Sequence, residues 1–200
     1  MTIPIVTIAV EGDVDAVAIR RVLEEAGLEA GSIYGRRGKG QLDKSLSGYN
    51  NAARHAPWLV LRDLDHDAKC APELLRRLLP EPSLQMCFRV AVRQIEAWLL
   101  ADRVRIAELL QLPVDTIPAE PDALEDAKAA LLHLARRSRN RRLRKELLPE
   151  EGIRAKVGTG YSGRMIEFAA GLWRPRIGAL SSPSLAGCLR AVERWKQDRE

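Results

Sequence analysis

Apolar residues in the first half of the chain form short β-branched runs that alternate with helical patterns. Residues 5–10, IVTIAV, are apolar except for Thr7, which predicts a strand buried on both faces. Residues 14–26 follow with apolar side chains at helical spacing, and Gly27 ends this predicted helix. Further strands are predicted at residues 30–34, 58–61 and 84–92. The alternation predicts an α/β fold with a small open, mainly parallel sheet of about four strands.

Helical patterns continue after the last predicted strand. Residues 93–110 predict one helix, and residues 123–148, 165–173 and 184–196 predict others beyond a proline-marked stretch. We therefore expect an α/β domain over residues 1–112 and a helical carboxyl-terminal extension over residues 113–200. The extension is expected to complete the core or to present an arginine-rich stretch to nucleic acid.

Acidic residues follow two of the predicted strands. Glu11 follows the first strand, and Asp63 and Asp65 follow the third. Ligands of open parallel sheets bind beyond the carboxyl ends of the strands, so these carboxylates converge if the two strands are neighbours. Oxygen ligands without His or Cys suit Mg²⁺ or Mn²⁺ rather than zinc. Such an ion bridges phosphate oxygens and activates water, which is the chemistry of phosphodiester cleavage.

A simpler interpretation of the first acidic group is helix capping. Asp13 and Asp15 stand in the first turn of the helix predicted at residues 14–26, where a carboxylate interacts favourably with free backbone N–H groups. This interpretation and the metal-site interpretation both remain open for Asp15 at the level of sequence.

Two motifs resemble those of the toprim superfamily, the catalytic module of topoisomerases, bacterial primases, small ribosomal-RNA maturases and nucleases of the overcoming-lysogenization-defect type. They are "VEGDVDAVAIRRVL" and "LVLRDLD", at the ends of the first and third predicted strands. The chain is also similar to uncharacterised toprim-like bacterial proteins that carry "EAWLLAD" after the fourth strand. The resemblance covers roughly residues 1–110. It implies a toprim-like or Rossmann-like fold and metal-dependent phosphoryl transfer on nucleic acid, as in a nuclease.

The resemblance also implies roles for individual residues. Glu11 corresponds to a metal ligand or general acid/base, and Asp63 and Asp65 to metal ligands. Asp15 corresponds to a supporting metal ligand, and Glu96 to a further acid after the fourth strand. Glu96 has an alternative role as an acidic residue that only begins a helix. Some relatives act beside ATPases in phage defence, so the resemblance further implies an ATPase partner.

Two other classes of function remain open from the residues. The first is a non-catalytic toprim-like module that binds nucleic acid or an ATPase subunit. The second is a Mg²⁺-dependent phosphatase or a receiver-like phosphoacceptor domain, because acids at strand ends also build those sites. Against a receiver, the first strand supplies the single acid Glu11 instead of an acidic pair.

Basic residues are concentrated in two stretches of a chain with a net charge of +5 and a sequence pI of about 9.4. This charge permits a polyanionic partner. The stretches are "GRRGKG" and "RRSRNRRLRK", and each is either a nucleic-acid contact or a solvated surface. The candidate contacts with nucleic acid are Arg36, Arg37, Lys39, Arg139, Arg141 and Arg142.

A nuclease site of this type also uses a lysine to stabilise the charge that develops on the phosphate. Lys39, Lys128 and Lys156 are candidates, and the sequence does not choose among them. Tyr161 can be proposed as a nucleophile, but packing beside the neighbouring glycines is the better interpretation.

Apolar stretches are interrupted by charged residues well short of the roughly 20 residues that span a bilayer. The first residues also lack the basic leader of a signal peptide. We therefore expect a cytoplasmic protein with no membrane partner.

Overall fold

The computed structural model describes residues 3–150 and 152–197, and an open sheet of four parallel strands lies at its centre. The strand order is β2-β1-β3-β4, and every neighbouring pair is parallel. The strands are β1 (Ile5–Val10), β2 (Glu29–Gly35), β3 (Trp58–Asp63) and β4 (Met86–Ala91). The predicted α/β fold with an open parallel sheet is confirmed.

Helices connect the strands and make up most of the remaining chain. Those between the strands are α1 (Asp13–Glu25), α2 (Lys39–Ala52) and α3 (Ala71–Leu78). Those after β4 are α4 (Ile95–Ala101), α5 (Arg103–Leu110), α6 (Ala127–Arg137), α7 (Arg141–Leu147), α8 (Tyr161–Gly171), α9 (Pro175–Gly178) and α10 (Pro183–Gln197). Short 3₁₀ turns lie at Val114–Thr116 and Pro121–Ala123.

Both faces of the sheet are covered by helices. Alternate residues of each strand point to opposite sides, so the sheet contributes to two apolar clusters. Val10 and Leu61 belong to the larger core cluster, which α1, α4, α6, α8 and α10 share. Ala9, Val60 and Phe88 belong to a smaller cluster with α2 and α3. The near-continuous apolar character of β1 and β3 is thus that of strands buried on two sides.

Helices of the carboxyl-terminal extension pack on the same core as the sheet. Helix α8 lies against α1, and its residue Phe168 is buried together with Ile19 and Val22 of α1. Trp173 and Leu189 of the extension belong to the same cluster. The extension therefore completes the core on one face of the sheet.

The prediction of a single helix over residues 93–110 is wrong. Helix α4 ends at Ala101, and α5 begins at Arg103. Between them lies Asp102, which is fully buried and whose carboxylate accepts the N–H of Arg105 at 3.4 Å and pairs with Arg174 at 2.7 Å. A buried carboxylate needs such partners, and it obtains one of them by capping a new helix.

A second predicted helix, over residues 123–148, is also interrupted. Helix α6 ends at Arg137, and α7 begins at Arg141 after Asn140. The side chain of Asn140 accepts the N–H of Leu143 at 3.0 Å and so caps α7. The guanidinium of Arg144 donates to the carbonyl of Ser138 in the same bend.

None of the helices in the described part of the chain combines the length and the apolar character that a membrane span needs.

Candidate functional site

The first and third strands are neighbours, which is the condition for their terminal acids to meet. Strand β1 pairs with β3 in parallel, with Ala9 opposite Val60. The backbone N–H of Asp63 donates to Glu11 Oε1 at 2.9 Å, so the end of β3 directly holds the side chain that follows β1. The carboxyl edge of the sheet therefore brings Glu11 and Asp63 together.

The carboxylate of Asp63 also connects β3 to α4. Its Oδ1 accepts the N–H of Ile95, the first residue of α4, at 2.9 Å. This bond satisfies one of the free N–H groups at the helix start and places the next residue, Glu96, at the same edge. Burial raises the pKa of Asp63 well above its ordinary value, and the nearby charge of Asp15 raises it further.

Asp15 lies in the first turn of α1 and points into this group of carboxylates. It is only 6% exposed, and its Oδ1 is buried without a hydrogen-bond partner among the described residues. Burial raises the pKa of Asp15 to about 7, and the charges of Glu11 and Glu96 raise it while Lys128 lowers it. A simple cap on a solvated helix end does not have such surroundings.

Glu96 is the most deeply buried of these acids, with 1% of its surface exposed. Its Oε1 accepts the hydroxyl of Tyr161 at 2.8 Å and pairs with Lys128 Nζ at 3.1 Å. Its Oε2 is buried without a hydrogen-bond partner among the described residues. Glu96 therefore begins α4 and also faces the candidate site.

Four carboxylates from separate elements thus lie together at the carboxyl edge of the sheet, and we call them the carboxylate cluster. They are Glu11, Asp15, Asp63 and Glu96. Burial raises the pKa of Glu11 as well, although the bond from Asp63 and the charge of Arg62 oppose this rise.

Tyr161 and Lys128 reach the cluster from the extension. The ammonium of Lys128 lies 5.9 Å from the centre of the Tyr161 ring. Burial raises the pKa of the Tyr161 phenol, and the carboxylate of Glu96 raises it further, so the hydroxyl stays protonated as a donor. This arrangement agrees with a packed tyrosine that donates a hydrogen bond to Glu96.

Lys128 is partly open to solvent, with 39% of its side chain exposed. Burial lowers its pKa, but the charges of Glu96, Asp63 and Asp15 outweigh that effect and raise the pKa overall. The sequence could not choose among three lysines, whereas the structure places Lys39 and Lys128 beside carboxylates. Lys156 is exposed in the loop before α8.

Lys39 lies at the rim of the site together with Asp65. Its ammonium donates to Asp65 Oδ2 at 2.8 Å and to Asp67 Oδ2 at 2.9 Å. The side chain of Gln94 also approaches Asp65 Oδ1, at 3.5 Å. Asp65 is therefore part of the candidate site, but as a salt-bridged residue beside the buried cluster.

Arg62 is a residue of this site that the sequence interpretation missed. It is 3% exposed, and its guanidinium contacts Asp43 at 3.2 Å, Asp67 at 2.6 Å and Glu11 at 3.5 Å. The sequence signal for Arg62 was a positive charge between the apolar residues of the strand WLVLRD and Asp63. Its partners in α2 and in the loop after β3 were not visible, because no local pattern connects them.

The chemistry of the cluster fits a hard divalent cation, since all of its candidate ligands are carboxylate oxygens. In the described part of the chain, no group of three or more His, Cys, Asp or Glu side chains is arranged to hold a metal ion. Glu11 and Asp63 each accept a backbone N–H, and Asp65 pairs with Lys39. Among the fully buried side-chain oxygens of the described residues, Asp15 Oδ1 and Glu96 Oε2 have no hydrogen-bond partner. Metal binding is thus a hypothesis that these buried, unpartnered oxygens support.

The basic loop after β2 lies next to the site. The N–H of Gly38 donates to the carbonyl of Glu11 at 3.0 Å, so the loop crosses the end of β1. Arg36 and Arg37 are exposed, and the guanidinium of Arg36 lies 3.3 Å from Asp13.

The arginine-rich stretch lies farther away, beyond the opposite end of α6 from Lys128. A rise of 1.5 Å per residue separates the two ends of this helix by about 14 Å. Arg139, Arg141 and Arg142 are exposed, and Arg142 pairs with Glu146 at 2.9 Å.

Comparisons of the chain with models of protein families, with curated proteins and with solved structures found no match. The resemblance to the toprim superfamily stays a prediction that the two sequence motifs carry.

Proposed function

We propose that this protein cleaves phosphodiester bonds of nucleic acid with a divalent metal ion, as a nuclease. The observation that carries the proposal is the carboxylate cluster at the carboxyl edge of a parallel sheet. Ligand sites of open α/β sheets lie at this edge, and buried acids with perturbed pKa values are candidates for a functional site.

The charges of the cluster support a cation as its ligand. Buried carboxylates repel one another and lose hydration, so they either take up protons or bind a cation. Burial raises the pKa values of Asp15 and Asp63, and the neighbouring carboxylates raise them further. Lys128 neutralises only part of this negative charge, through its contact with Glu96.

Glu11, Asp15, Asp63 and Glu96 are the residues that would hold Mg²⁺ or Mn²⁺. Such an ion supplies Lewis-acid polarisation of a phosphate oxygen and a more acidic water. Among the residues of the chain itself, Glu11 is suited to accept a proton, because burial raises its pKa. Lys128 and Lys39 place ammonium groups beside the acids, where they can stabilise negative charge on a phosphate.

A nucleic acid is the proposed substrate because a basic loop lies beside the acidic site. Arg36 and Arg37 belong to the loop that crosses the end of β1, and Lys39 begins α2 directly after it. Cations in such a position bind the phosphate backbone without reading the bases.

A second candidate function is a non-catalytic module that binds nucleic acid or an ATPase subunit. Lys39 favours it, because its ammonium already neutralises Asp65 and Asp67 at the rim of the site. In this case the acids would stabilise the loops, and no metal would be needed.

Cleavage assays with site variants test the proposal. We expect the purified protein with Mg²⁺ or Mn²⁺ to cut DNA or RNA, and we expect Glu11→Gln and Asp63→Asn to lose about 10²-fold or more of this activity. Asp13→Asn is the matched control, since Asp13 is an exposed acid of the same turn. Thermal unfolding of each variant checks that the fold is retained.

Several outcomes separate the candidates. If the protein cleaves no nucleic acid with either metal, both alone and together with an ATPase partner, the nuclease proposal is contradicted. The non-catalytic binding module is then the remaining candidate. Cleavage that persists in both variants contradicts the assigned site. Hydrolysis of a phosphomonoester in place of nucleic acid identifies the phosphatase that the sequence left open.

A further inference from the structure

The sheet face that α2 covers carries an aromatic stack at its open edge. The ring of Tyr34 in β2 lies 5.3 Å from that of Trp58 with an interplanar angle of 29°. The ring of Tyr49 in α2 lies 5.1 Å from that of Trp58 at 21°. Trp58 is buried, whereas Tyr34 is 48% exposed on the edge strand of the sheet. The stack thus supports Tyr34 from beneath and leaves part of an aromatic surface open to solvent.

The backbone of Tyr34 lies near the carboxyl edge of the sheet, while its ring leans towards Trp58 at the start of β3, opposite Thr7 of β1. Tyr34 pairs with Ala9 of β1, and residues paired in register share a face of the sheet. Glu11 follows Ala9 by two residues, so a rise of about 3.3 Å per residue and a strand spacing of about 4.8 Å put the backbones of Tyr34 and Glu11 about 8 Å apart.

The basic loop connects Tyr34 to the site. Arg36 and Arg37 are exposed immediately after the end of β2, and Lys39 donates to Asp65 at 2.8 Å. Proteins that bind single strands combine cations for the phosphates with aromatic rings on which bases stack. The segment from Tyr34 to Lys39 contains both components in sequence.

We propose that Tyr34 and this loop bind single-stranded nucleic acid, with one base stacked on Tyr34 and the adjacent phosphates at Arg36 and Arg37. The inference rests on the proposed function, because it assigns the substrate as a single strand. The base faces of a duplex are covered by their neighbours, so a tyrosine held at a sheet edge reaches them only after the bases are unstacked.

Binding measured without metal tests the inference apart from catalysis. The probes are fluorescein-labelled oligothymidylate and oligouridylate of about 16 nucleotides, within the range of known single-strand sites, and a DNA duplex of equal length. We expect Tyr34→Leu to weaken binding of the single strands about tenfold, because it removes the stacking surface and keeps an apolar side chain. Tyr34→Phe keeps the ring and is expected to bind as the wild type does.

Leu84→Ala is the matched control for loss of an exposed apolar side chain, since Leu84 is 98% exposed and lies two residues before β4. We expect it to bind both single strands with wild-type affinity. A second variant, Arg37→Ala, is expected to lower the slope of log affinity against log salt by about 0.7. It keeps the inference testable if Tyr34→Leu does not fold.

Equal affinity of Tyr34→Leu and wild type for both single strands overturns the inference, as does an equal loss for single strand and duplex. The DNA and RNA arms identify which strand is bound. If the wild type cleaves nucleic acid and Tyr34→Leu binds single strands with unchanged affinity, the inference about Tyr34 is overturned. The proposed nuclease activity is then still supported. Tenfold weaker binding in a protein that cuts nothing supports the inference and removes the proposed nuclease.

Discussion

At the scale of single residues, the candidate site depends on buried charges and on how each one is paired. Arg62 is the clearest case, because its guanidinium connects β3 to Asp43 of α2, to Asp67 and to Glu11. Glu96 shows the same dependence, with Tyr161 and Lys128 as partners. These contacts set the positions of the acids before any ligand binds.

Replacement of Arg62 by Met is expected to lower the free energy of unfolding by about 3 kcal/mol. The substitution leaves partly buried carboxylates without their cation, and removal of one partner of a buried pair costs about this much. Urea unfolding measures the change. Arg142→Met is the control, because Arg142 is 84% exposed and its pair with Glu146 is worth about 0.5 kcal/mol. Equal effects of the two variants would contradict the role of Arg62.

Asp15 gives a pH dependence of known sign. Burial raises its folded-state pKa from the ordinary value of 3.8 to about 7, so between these pH values the folded protein holds more protons than the unfolded chain. The contribution of Asp15 to stability is therefore fully present below about pH 4 and is lost as the pH rises to about 7. Asp15→Asn is expected to lose less stability than the wild type between pH 5 and about pH 8.

Urea unfolding at the two pH values makes this comparison, because the difference between the two proteins isolates Asp15 from the other acids. Mg²⁺ is expected to stabilise the wild type more at the higher pH, since carboxylates must lose their protons to bind it. Identical pH profiles for Asp15→Asn and wild type would show that Asp15 titrates normally.

At the scale of elements, the ends of strands and helices position the site. Residues at the ends of β1 and β3 and in the first turns of α1 and α4 supply the carboxylate cluster, and the first turn of α6 supplies Lys128. The breaks at Asp102 and Asn140 determine where α5 and α7 begin. The arginine-rich stretch consequently lies at the far end of α6.

Neutralising Arg139, Arg141 and Arg142 together, as Gln, tests that stretch as a nucleic-acid contact. If it contacts the phosphate backbone, binding of a long single strand weakens and its salt slope falls by about 2, at about 0.7 per lost contact. The cleavage rate at saturating substrate is expected to stay unchanged, because α6 separates these residues from the carboxylate cluster. Fluorescence anisotropy over a salt series measures the slope. An unchanged slope would make the stretch a solvated surface.

At the scale of the whole molecule, the extension and the sheet form one core and one site. Tyr161 of α8 donates to Glu96 across 65 residues of chain, and Phe168 packs with the core residues of α1. Residues on both sides of the predicted boundary at residue 112 therefore contribute to the core and to the candidate site.

Residues 1–112 alone are expected not to fold cooperatively. Their separation from the extension would expose the apolar faces of α1 and α4, and each fully buried large apolar side chain contributes about 1.5–3 kcal/mol. Thermal unfolding followed by circular dichroism, together with dye binding to exposed apolar surface, measures this. The full chain serves as the control, and a fragment with a cooperative transition near that of the full chain would contradict the shared core.

Local sequence patterns were sufficient to predict the elements of the first half of the chain and the acids at their ends. Runs such as IVTIAV and the helical spacing after Asp13 are local patterns, and β1, α1, β3 and β4 lie close to their predicted places. Because the carboxyl ends of parallel strands share an edge, Glu11 and Asp63 were predicted to meet on the one condition that β1 and β3 are adjacent.

The adjacency of β1 and β3, and the partner of each buried charge, became known from the three-dimensional structure. The hydrogen bond from Asp63 to Glu11 spans 52 residues, and local spacing carries no information about contacts of that range. The same holds for Arg62, whose contacts with Glu11, Asp43 and Asp67 depend on how β3 packs against other parts of the chain. Side-chain pattern specifies elements because it repeats within a few residues, whereas a site made from several elements depends on how they pack.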